Sequence, residues 1–149
     1  MALIQNFRPN MFSTDWVTSK IDDKAIDYLE SLGYYLCDKQ RPDDRFAGRN
    51  AVTTAQLRNI FAEVKRIEIK LDGNPETWSE LETSILLLRP KIAYNAARVL
   101  SKSSQSRMKD LREVLETALT KVKKEDHFKN FSNILEGIIA YHKVYGGKD

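Results

Sequence analysis

Apolar residues recur at intervals of three and four along almost the whole chain from Trp16 onward. This spacing places them on one face of an α-helix, whereas a half-buried strand would alternate apolar and polar residues. Glycine and proline, which interrupt helices, are scarce, with six and four respectively among 149 residues. The pattern therefore predicts an all-α fold, a single-domain bundle of about five helices with no sheet.

Capping residues, glycines and prolines divide this pattern into five predicted helices. Their ranges are Thr18 to Asp38, Thr53 or Thr54 to Asp72, Asn74 to about Leu100, a stretch that follows Ser101 to Ser106, and Glu125 to the Gly146-Gly147 pair. Pro90 should kink or break the third helix at Arg89, because proline lacks an amide hydrogen and clashes with the preceding turn.

The organisation around these helices is predicted to be simple. Residues 1–17 are interpreted as an N-terminal extension, and residues 18–149 as the helical bundle. Within the bundle, residues 38–52 are predicted to form a mobile linker. This segment holds Pro42, two adjacent aspartates and Gly48 among arginines, with almost nothing to bury.

The chain lacks the residue sets of common catalytic and metal sites. Its two histidines, His127 and His142, fall in one predicted helix about 22 Å apart, so they cannot share a site. His142 lies on the apolar stripe and is interpreted as a core or interface histidine. No phosphate-binding loop, HExxH or CxxC motif is present. We therefore expect a protein that is not an enzyme, with no catalytic residue, no metal and no cofactor.

The location of the protein is predicted from what its sequence lacks. The start of the chain has neither the basic nor the apolar region of a signal peptide. Cys37 is the single cysteine and cannot form an internal disulfide. No apolar run approaches the roughly 20 residues that a membrane-spanning helix needs. We expect a cytoplasmic protein without membrane contact.

Positive charge is concentrated in one part of the chain. The net charge is only +3, and residues 1–52 carry seven basic and eight acidic side chains. Residues 89–112, in contrast, carry seven basic side chains and one acidic side chain, Asp110. Such a concentration suits a polyanionic partner, although it can also be no more than a solvated surface.

The basic residues are predicted to line a groove. Four polar residues of the third helix lie within about 40° of one another on a helical projection: Lys91, Asn95, Arg98 and Lys102. In the second helix Arg58 and Lys65 lie on one side, and Arg66 lies farther toward solvent. Neighbouring stripes of this kind would suit a sugar-phosphate backbone, which arginine and lysine contact without reading the bases. The alternative is that these charges only solubilise the bundle.

Three segments, in order, carry a resemblance to a known family. They read Val-Thr-Thr-Ala-Gln-Leu-Arg-Asn-Ile at 52–60, Leu-Arg-Pro-Lys-Ile-Ala-Tyr-Asn-Ala-Ala-Arg at 88–98, and Ala-Tyr-His-Lys-Val-Tyr-Gly-Gly-Lys-Asp at 140–149. In these segments the chain resembles the small subunit of type III-A CRISPR interference (Csm) complexes. Ala97 stands where the family commonly has glycine, a change that a helix should tolerate because alanine is the better helix former.

The resemblance implies a non-catalytic subunit of an RNA-guided antiviral complex. Several copies would stack as a filament beside the backbone and large subunits of the Csm complex, lining the duplex of guide RNA and target RNA. Carried over by position, the RNA-binding residues are Arg58, Lys65, Arg66, Arg89, Lys91 and Arg98. Arg89 could instead cap the carbonyl groups that Pro90 leaves free.

Two other classes of function stay open from the sequence. A stand-alone helical nucleic-acid-binding regulator would need a helix–turn–helix with a tight turn of three or four residues. A helical protein-interaction adaptor would show an exposed apolar groove. Neither feature is evident in the sequence.

Overall fold

A computed structural model describes residues 3–72, 74, 77–98 and 102–147, with side chains from residue 106 onward in the last range. A 3-10 turn at Pro9–Met11 precedes the α-helices. The helices are α1 Asp15–Thr18, α2 Asp23–Leu36, α3 Thr54–Leu71, α4 Trp78–Leu86, α5 Leu88–Ala97, α6 Lys102–Leu119 and α7 Glu125–Val144. No β-strand occurs in these ranges, which confirms the predicted all-α bundle.

The first predicted helix, from Thr18, is wrong at its start. Helix α1 ends at Thr18, and α2 begins five residues later at Asp23. The carboxylate of Asp22 accepts a hydrogen bond from the amide of Ala25 at 2.9 Å and so caps α2. An aspartate at this position satisfies one of the free amides of a first turn, which favours a helix start over continuation.

The start of α3 agrees with the prediction. The Thr53 hydroxyl accepts a hydrogen bond from the Gln56 amide at 3.1 Å, and the Gln56 side chain accepts one from the Thr53 amide at 2.7 Å. This reciprocal pair is the capping box that the sequence indicated. Helix α3 ends at Leu71, close to the predicted end at Asp72.

The predicted break at Arg89 lies two residues too late. Helix α4 ends at Leu86 and α5 begins at Leu88, so Leu87 separates them and Arg89 is already helical. Pro90 then occupies the first turn of α5, where the missing amide hydrogen removes no helical hydrogen bond. The predicted third helix begins at Asn74, whereas α4 begins at Trp78. Residues 75 and 76 and the predicted helix end near Leu100 lie outside the described residues.

Helix α7 is the centre of the bundle. It packs against α1, α2 and α3, while α5 lies between α3 and α6. Its core face consists of fully buried apolar side chains: Phe128, Phe131, Ile134, Leu135 and Ile138. His142 continues this face and is also buried, as predicted for a core histidine. Its Nε2 lies 2.7 Å from the carbonyl oxygen of Val52, which ties the end of α7 to the start of α3.

Helices α2 and α7 approach each other closely at Gly33. A Cβ atom added to Gly33 would lie 2.7 Å from both the backbone nitrogen of His142 and the Cβ of Tyr141. One turn earlier on α2, the carboxylate of Glu30 accepts a hydrogen bond from the Tyr145 hydroxyl at 2.5 Å. The C-terminal part of α7 is therefore fixed against α2 by both close packing and a buried polar contact.

The N-terminal residues pack onto the bundle. Trp16 and Val17 are buried, and Phe7 and Phe12 lie against the core. The Phe12 and Trp16 rings contact the Tyr28 ring of α2 at centroid distances of 5.7 and 5.2 Å. Residues 3–17 thus add apolar contacts to α2, and the boundary at residue 17 stays a prediction.

The predicted linker, residues 38–52, is held at both ends. The amide of Val52 donates a hydrogen bond to the Leu36 carbonyl at 2.9 Å, and the amide of Gly48 donates one to the Cys37 carbonyl at 2.8 Å. Ala51 and Val52 are buried, so the expectation of almost nothing to bury is wrong for these two residues. The mobility of the segment stays a prediction.

Candidate nucleic-acid interface

A groove of about 600 Å³ runs between α3 and α5 on the surface of the bundle. Its α3 wall consists of Asn59, Ala62, Glu63 and Arg66, and its α5 wall consists of Pro90, Lys91, Tyr94, Asn95 and Arg98. Three of the six predicted RNA-binding residues, Arg66, Lys91 and Arg98, therefore share one surface.

An acidic residue connects the two walls of the groove. The Glu63 carboxylate accepts hydrogen bonds from Lys91 of α5 at 3.0 Å and from Arg66 of α3 at 3.2 Å. The hydrogen bond from Lys91, together with the charges of both cations, lowers the pKa of Glu63 below its usual value. Glu63 therefore stays ionised at neutral pH and holds Arg66 and Lys91 close together.

The α5 wall has the stripe that the helical projection predicted. Lys91, Asn95 and Arg98 all line the groove, while Ile92 and Ala96 are buried on the opposite side. The Arg98 guanidinium lies over the Tyr94 ring, 5.5 Å from its centroid. The fourth predicted member of the stripe, Lys102, has a side chain outside the described residues.

The groove has the charge and shape of a site for an extended anion. Its three cations outnumber Glu63, so its formal charge is positive, and its cationic side chains are largely solvent-exposed. Lys91 and Arg98 are seven residues apart and so about 10 Å apart along the helix axis. Cations spaced along a groove suit the repeated phosphates of a nucleic-acid backbone better than a single compact ligand.

The other three predicted residues lie outside the groove lining. Lys65 lies on the α7 side of α3 and contacts Glu68 at 2.7 Å. This hydrogen bond raises the pKa of Lys65 above its usual value. Arg89 is exposed in the first turn of α5, about 180° around the helix from Arg98. Arg58 is exposed on α3, two turns before Arg66 on the same row of residues.

The α3 wall therefore differs from the predicted one. The sequence grouped Arg58 with Lys65 and placed Arg66 farther toward solvent, whereas Arg66 is the α3 cation that faces α5. The difference arises because the projection of a single helix shows which residues share a side. It does not show which side the neighbouring helix occupies.

Two further basic residues of the 89–112 segment, Arg107 and Arg112, make their contacts away from the groove. Arg107 donates hydrogen bonds to the Tyr35 carbonyl at 2.9 Å and to Asp38 at 2.8 Å, so it joins α6 to the end of α2. Arg112 pairs with Glu116 at 3.1 Å within α6. The charge cluster in the sequence is thus divided among several surfaces in the fold.

Among the groove residues that sequence reasoning missed, Glu63 and Tyr94 contact the cations of the groove. Glu63 carried a weak signal, because it precedes Arg66 by three residues and so can pair with it on a helix. Tyr94 lies three residues after Lys91 and four before Arg98, which places it on the same face. An aromatic residue within a basic stripe was the sequence signal that could have assigned Tyr94 to the groove.

Neither a cluster of metal-ligating side chains nor a membrane-spanning helix occurs in the described ranges. Among these residues, no group of three or more histidine, cysteine, aspartate or glutamate side chains could hold a metal ion. In the same part of the chain, no helix has the length and apolar character needed to cross a membrane.

Comparison with known proteins identifies the family. A model of the family described as Csm2 Type III-A matches residues 40–148, and residues 1–39 lie outside this match. The chain is also 30% identical over 105 residues to the CRISPR system Cms protein Csm2 of Streptococcus thermophilus, covering 68% of this chain and 79% of that protein. Both matches agree with the resemblance found in the three sequence segments. The chain therefore belongs to the Csm2 family of type III-A, the small subunits of type III-A CRISPR (Csm) complexes.

Proposed function

We propose that this subunit is non-catalytic and binds the backbone of the guide RNA–target RNA duplex without sequence preference. In this proposal it acts in the cytoplasm, stacks as a filament with copies of itself, and contacts the backbone and large subunits of the complex. The proposal rests on one observation above all, the positively charged groove between α3 and α5.

The groove supports backbone binding rather than base reading. Arginine and lysine contact phosphates by charge and hydrogen bonding, and these contacts carry no direct sequence information. An A-form duplex also hides its base edges in a deep, narrow major groove, so a protein recognises it mainly by its shape and backbone. Base pairing with the guide can supply the sequence specificity instead.

The six predicted residues have different roles in this proposal. Arg66, Lys91 and Arg98 bind phosphates within the groove. Arg58 extends the same row of α3 and binds a phosphate at the rim. Lys65 and Arg89 stay predicted contacts, because they lie on other sides of α3 and α5.

The test is RNA affinity across a range of salt concentrations, measured for the full-length chain and for the reconstituted complex. Arg66→Ala, Lys91→Ala and Arg98→Ala should each weaken binding equally for unrelated RNA sequences. Each should also lower the slope of log affinity against log salt concentration by about one unit, the change expected for one lost phosphate contact. Lys24→Ala is the matched control, because it removes the same charge from an exposed position on α2.

The outcomes separate RNA binding from solubilisation. Unchanged affinity and salt dependence in all three groove variants would contradict the proposal and leave these charges as a solvated surface. Arg58→Ala, Lys65→Ala and Arg89→Ala, measured one at a time in the same assay, show which of these three residues outside the groove also contact RNA.

Filament formation has separate support in the apolar surface at the α4–α5 junction. Leu86 and Leu87 are 63% and 49% exposed, and together they present apolar area that a neighbouring copy could cover. Replacing both by serine should lower the number of copies of this subunit in the reconstituted complex, as measured by native mass spectrometry. Ile26→Ser changes a comparable exposed residue on α2 and is the control. An unchanged copy number would exclude the junction as the stacking surface.

A further inference from the structure

Tyr94 is an exposed aromatic residue in the lining of the α3–α5 groove. Tyr94 is 65% exposed, although it lies in the middle of α5 with buried Ile92 and Ala96 two residues to either side. The Arg98 guanidinium lies over its ring at 5.5 Å. The ring is therefore presented to the groove and is not part of the core.

The surroundings of the ring are polar. Lys91, Asn95 and Arg98 share the α5 wall with Tyr94, and Glu63 and Arg66 face it from α3. An aromatic ring within a patch for protein contact would be expected to have apolar neighbours. A ring among cations is instead the arrangement that binds nucleic acid, with cations on the backbone and the ring against a base.

A continuous duplex offers no base face on which such a ring can stack. Each base in an A-form duplex is paired and stacked between its neighbours, so its face is not available to a side chain. RNA-binding proteins place aromatic side chains against bases that are unpaired or displaced from the stack. An exposed ring in this groove therefore indicates an unpaired nucleotide in the ligand.

We propose that the α3–α5 groove binds RNA that contains an unpaired nucleotide, and that the base of this nucleotide stacks on Tyr94. This inference rests on the proposed RNA-binding function and makes its ligand more specific. Arg98 positions the ring and contacts the adjacent phosphate. Stacking needs no particular base, because every base has an aromatic face, so the site keeps its lack of sequence preference.

The test uses the full-length chain and two RNA duplexes that differ by one unpaired nucleotide. The extra nucleotide is 2-aminopurine, whose fluorescence falls when it stacks. The wild-type chain should bind the bulged duplex more tightly than the continuous duplex and should quench the fluorescence of the bulge. Tyr94→Ala should remove the quenching and weaken binding of the bulged duplex by roughly 5- to 150-fold, the range for loss of one stacked base. Its affinity for the continuous duplex should fall much less, because that duplex offers no unpaired base to the ring.

Two comparisons make the result specific. Tyr94→Phe keeps the ring and should retain both quenching and affinity, which separates stacking from any effect on folding. Arg98→Ala should weaken binding of both duplexes, because it removes a phosphate contact.

Each outcome has a defined meaning. If Tyr94→Ala binds the bulged duplex like the wild type while Arg98→Ala weakens both duplexes, the stacking inference is overturned and the proposed function stands. If the wild-type chain binds neither duplex, both are overturned. If Tyr94→Ala changes only the copy number of the subunit in the reconstituted complex, the ring contacts protein and the inference is likewise overturned.

Discussion

The close contact between α2 and α7 at Gly33 makes one substitution especially informative. In Gly33→Ala, the new Cβ would lie 2.7 Å from the His142 nitrogen, 2.7 Å from the Tyr141 Cβ and 2.9 Å from the Tyr141 carbonyl carbon. Two of these three atoms belong to the backbone and the third is directly attached to it. They cannot move without moving α7 itself, so the two helices must separate.

The magnitude follows from two opposing effects. Adding a methyl group to a tightly packed contact costs about 1–3 kcal/mol. Replacing glycine by alanine within a helix contributes about 0.5–1 kcal/mol in the other direction. Because a backbone atom is in the way, we expect the packing cost to win and Gly33→Ala to lower the free energy of unfolding by about 1–2 kcal/mol. For a chain of this length that corresponds to a fall in melting temperature of roughly 2–8 °C.

Gly137 provides a matched control on α7. An added Cβ at Gly137 would lie 2.7 Å from the Leu29 Cδ1, the end of a flexible side chain. Leu29 can change its rotamer at small cost, so Gly137→Ala should leave the melting temperature unchanged or raise it. The assay is thermal unfolding of both variants followed by circular dichroism. A Gly33→Ala variant that melts at or above the wild-type temperature would refute the close packing of α2 on α7.

Two further changes test the buried and the exposed polar contacts. Tyr145→Phe removes the hydroxyl that donates to Glu30 and should lower the free energy of unfolding by about 1.5–3 kcal/mol, the range for a hydrogen bond to a charged group. Tyr141→Phe is its control in chemical denaturation. Burial and Glu30 raise the pKa of Tyr145, so the folded state favours the protonated hydroxyl. This stabilisation should be complete below the unfolded pKa of about 10 and should be lost as the pH rises above it. The free energy of unfolding of Tyr145→Phe should therefore fall less steeply with pH in this range than that of the wild type. Glu63→Gln should strengthen RNA binding roughly threefold, since it removes one negative charge near the proposed phosphates while its amide oxygen can still accept a hydrogen bond from Lys91. Weaker binding in a filter assay would contradict this expectation and would show that the charge of Glu63 is needed to hold Arg66 and Lys91 in place.

Much of the fold could be predicted because the helices are amphipathic and their starts are capped by short-range contacts. The capping box at Thr53 lies within four residues and was readable directly from the sequence. The start of α2 was missed although Asp22 signalled it, because the apolar spacing continues through Ile21 into the preceding turn. The sequence predicts that Pro90 interrupts the third helix, yet proline also suits the first turn of a helix. The spacing of apolar residues does not distinguish these two cases.

The candidate site was predictable only where one helix determines it. The projection of α5 placed Lys91 and Arg98 together, and they do line one groove. The partner surface depends on how α3 packs against α5, which brings Glu63 within 3.0 Å of Lys91 across 28 residues of sequence. No local pattern contains that distance, so Arg66 and Glu63 could be assigned to the groove only from the fold.

Two of the three segments that resemble the family have different physical roles. Residues 88–98 form one wall of the groove, whereas Tyr141, His142 and Tyr145 of the third segment face α2 and the start of α3. Helix α2 itself lies before residue 40, where the family match begins. The C-terminal segment therefore depends for its packing on a part of the chain that the match does not include. It follows that substitutions of the groove-facing residues Lys91, Asn95 and Arg98 should change RNA affinity with little effect on unfolding. Substitutions facing α2 in residues 140–147 should do the reverse. A variant such as Tyr145→Phe that lost RNA affinity while keeping the wild-type melting temperature would show that this division is wrong.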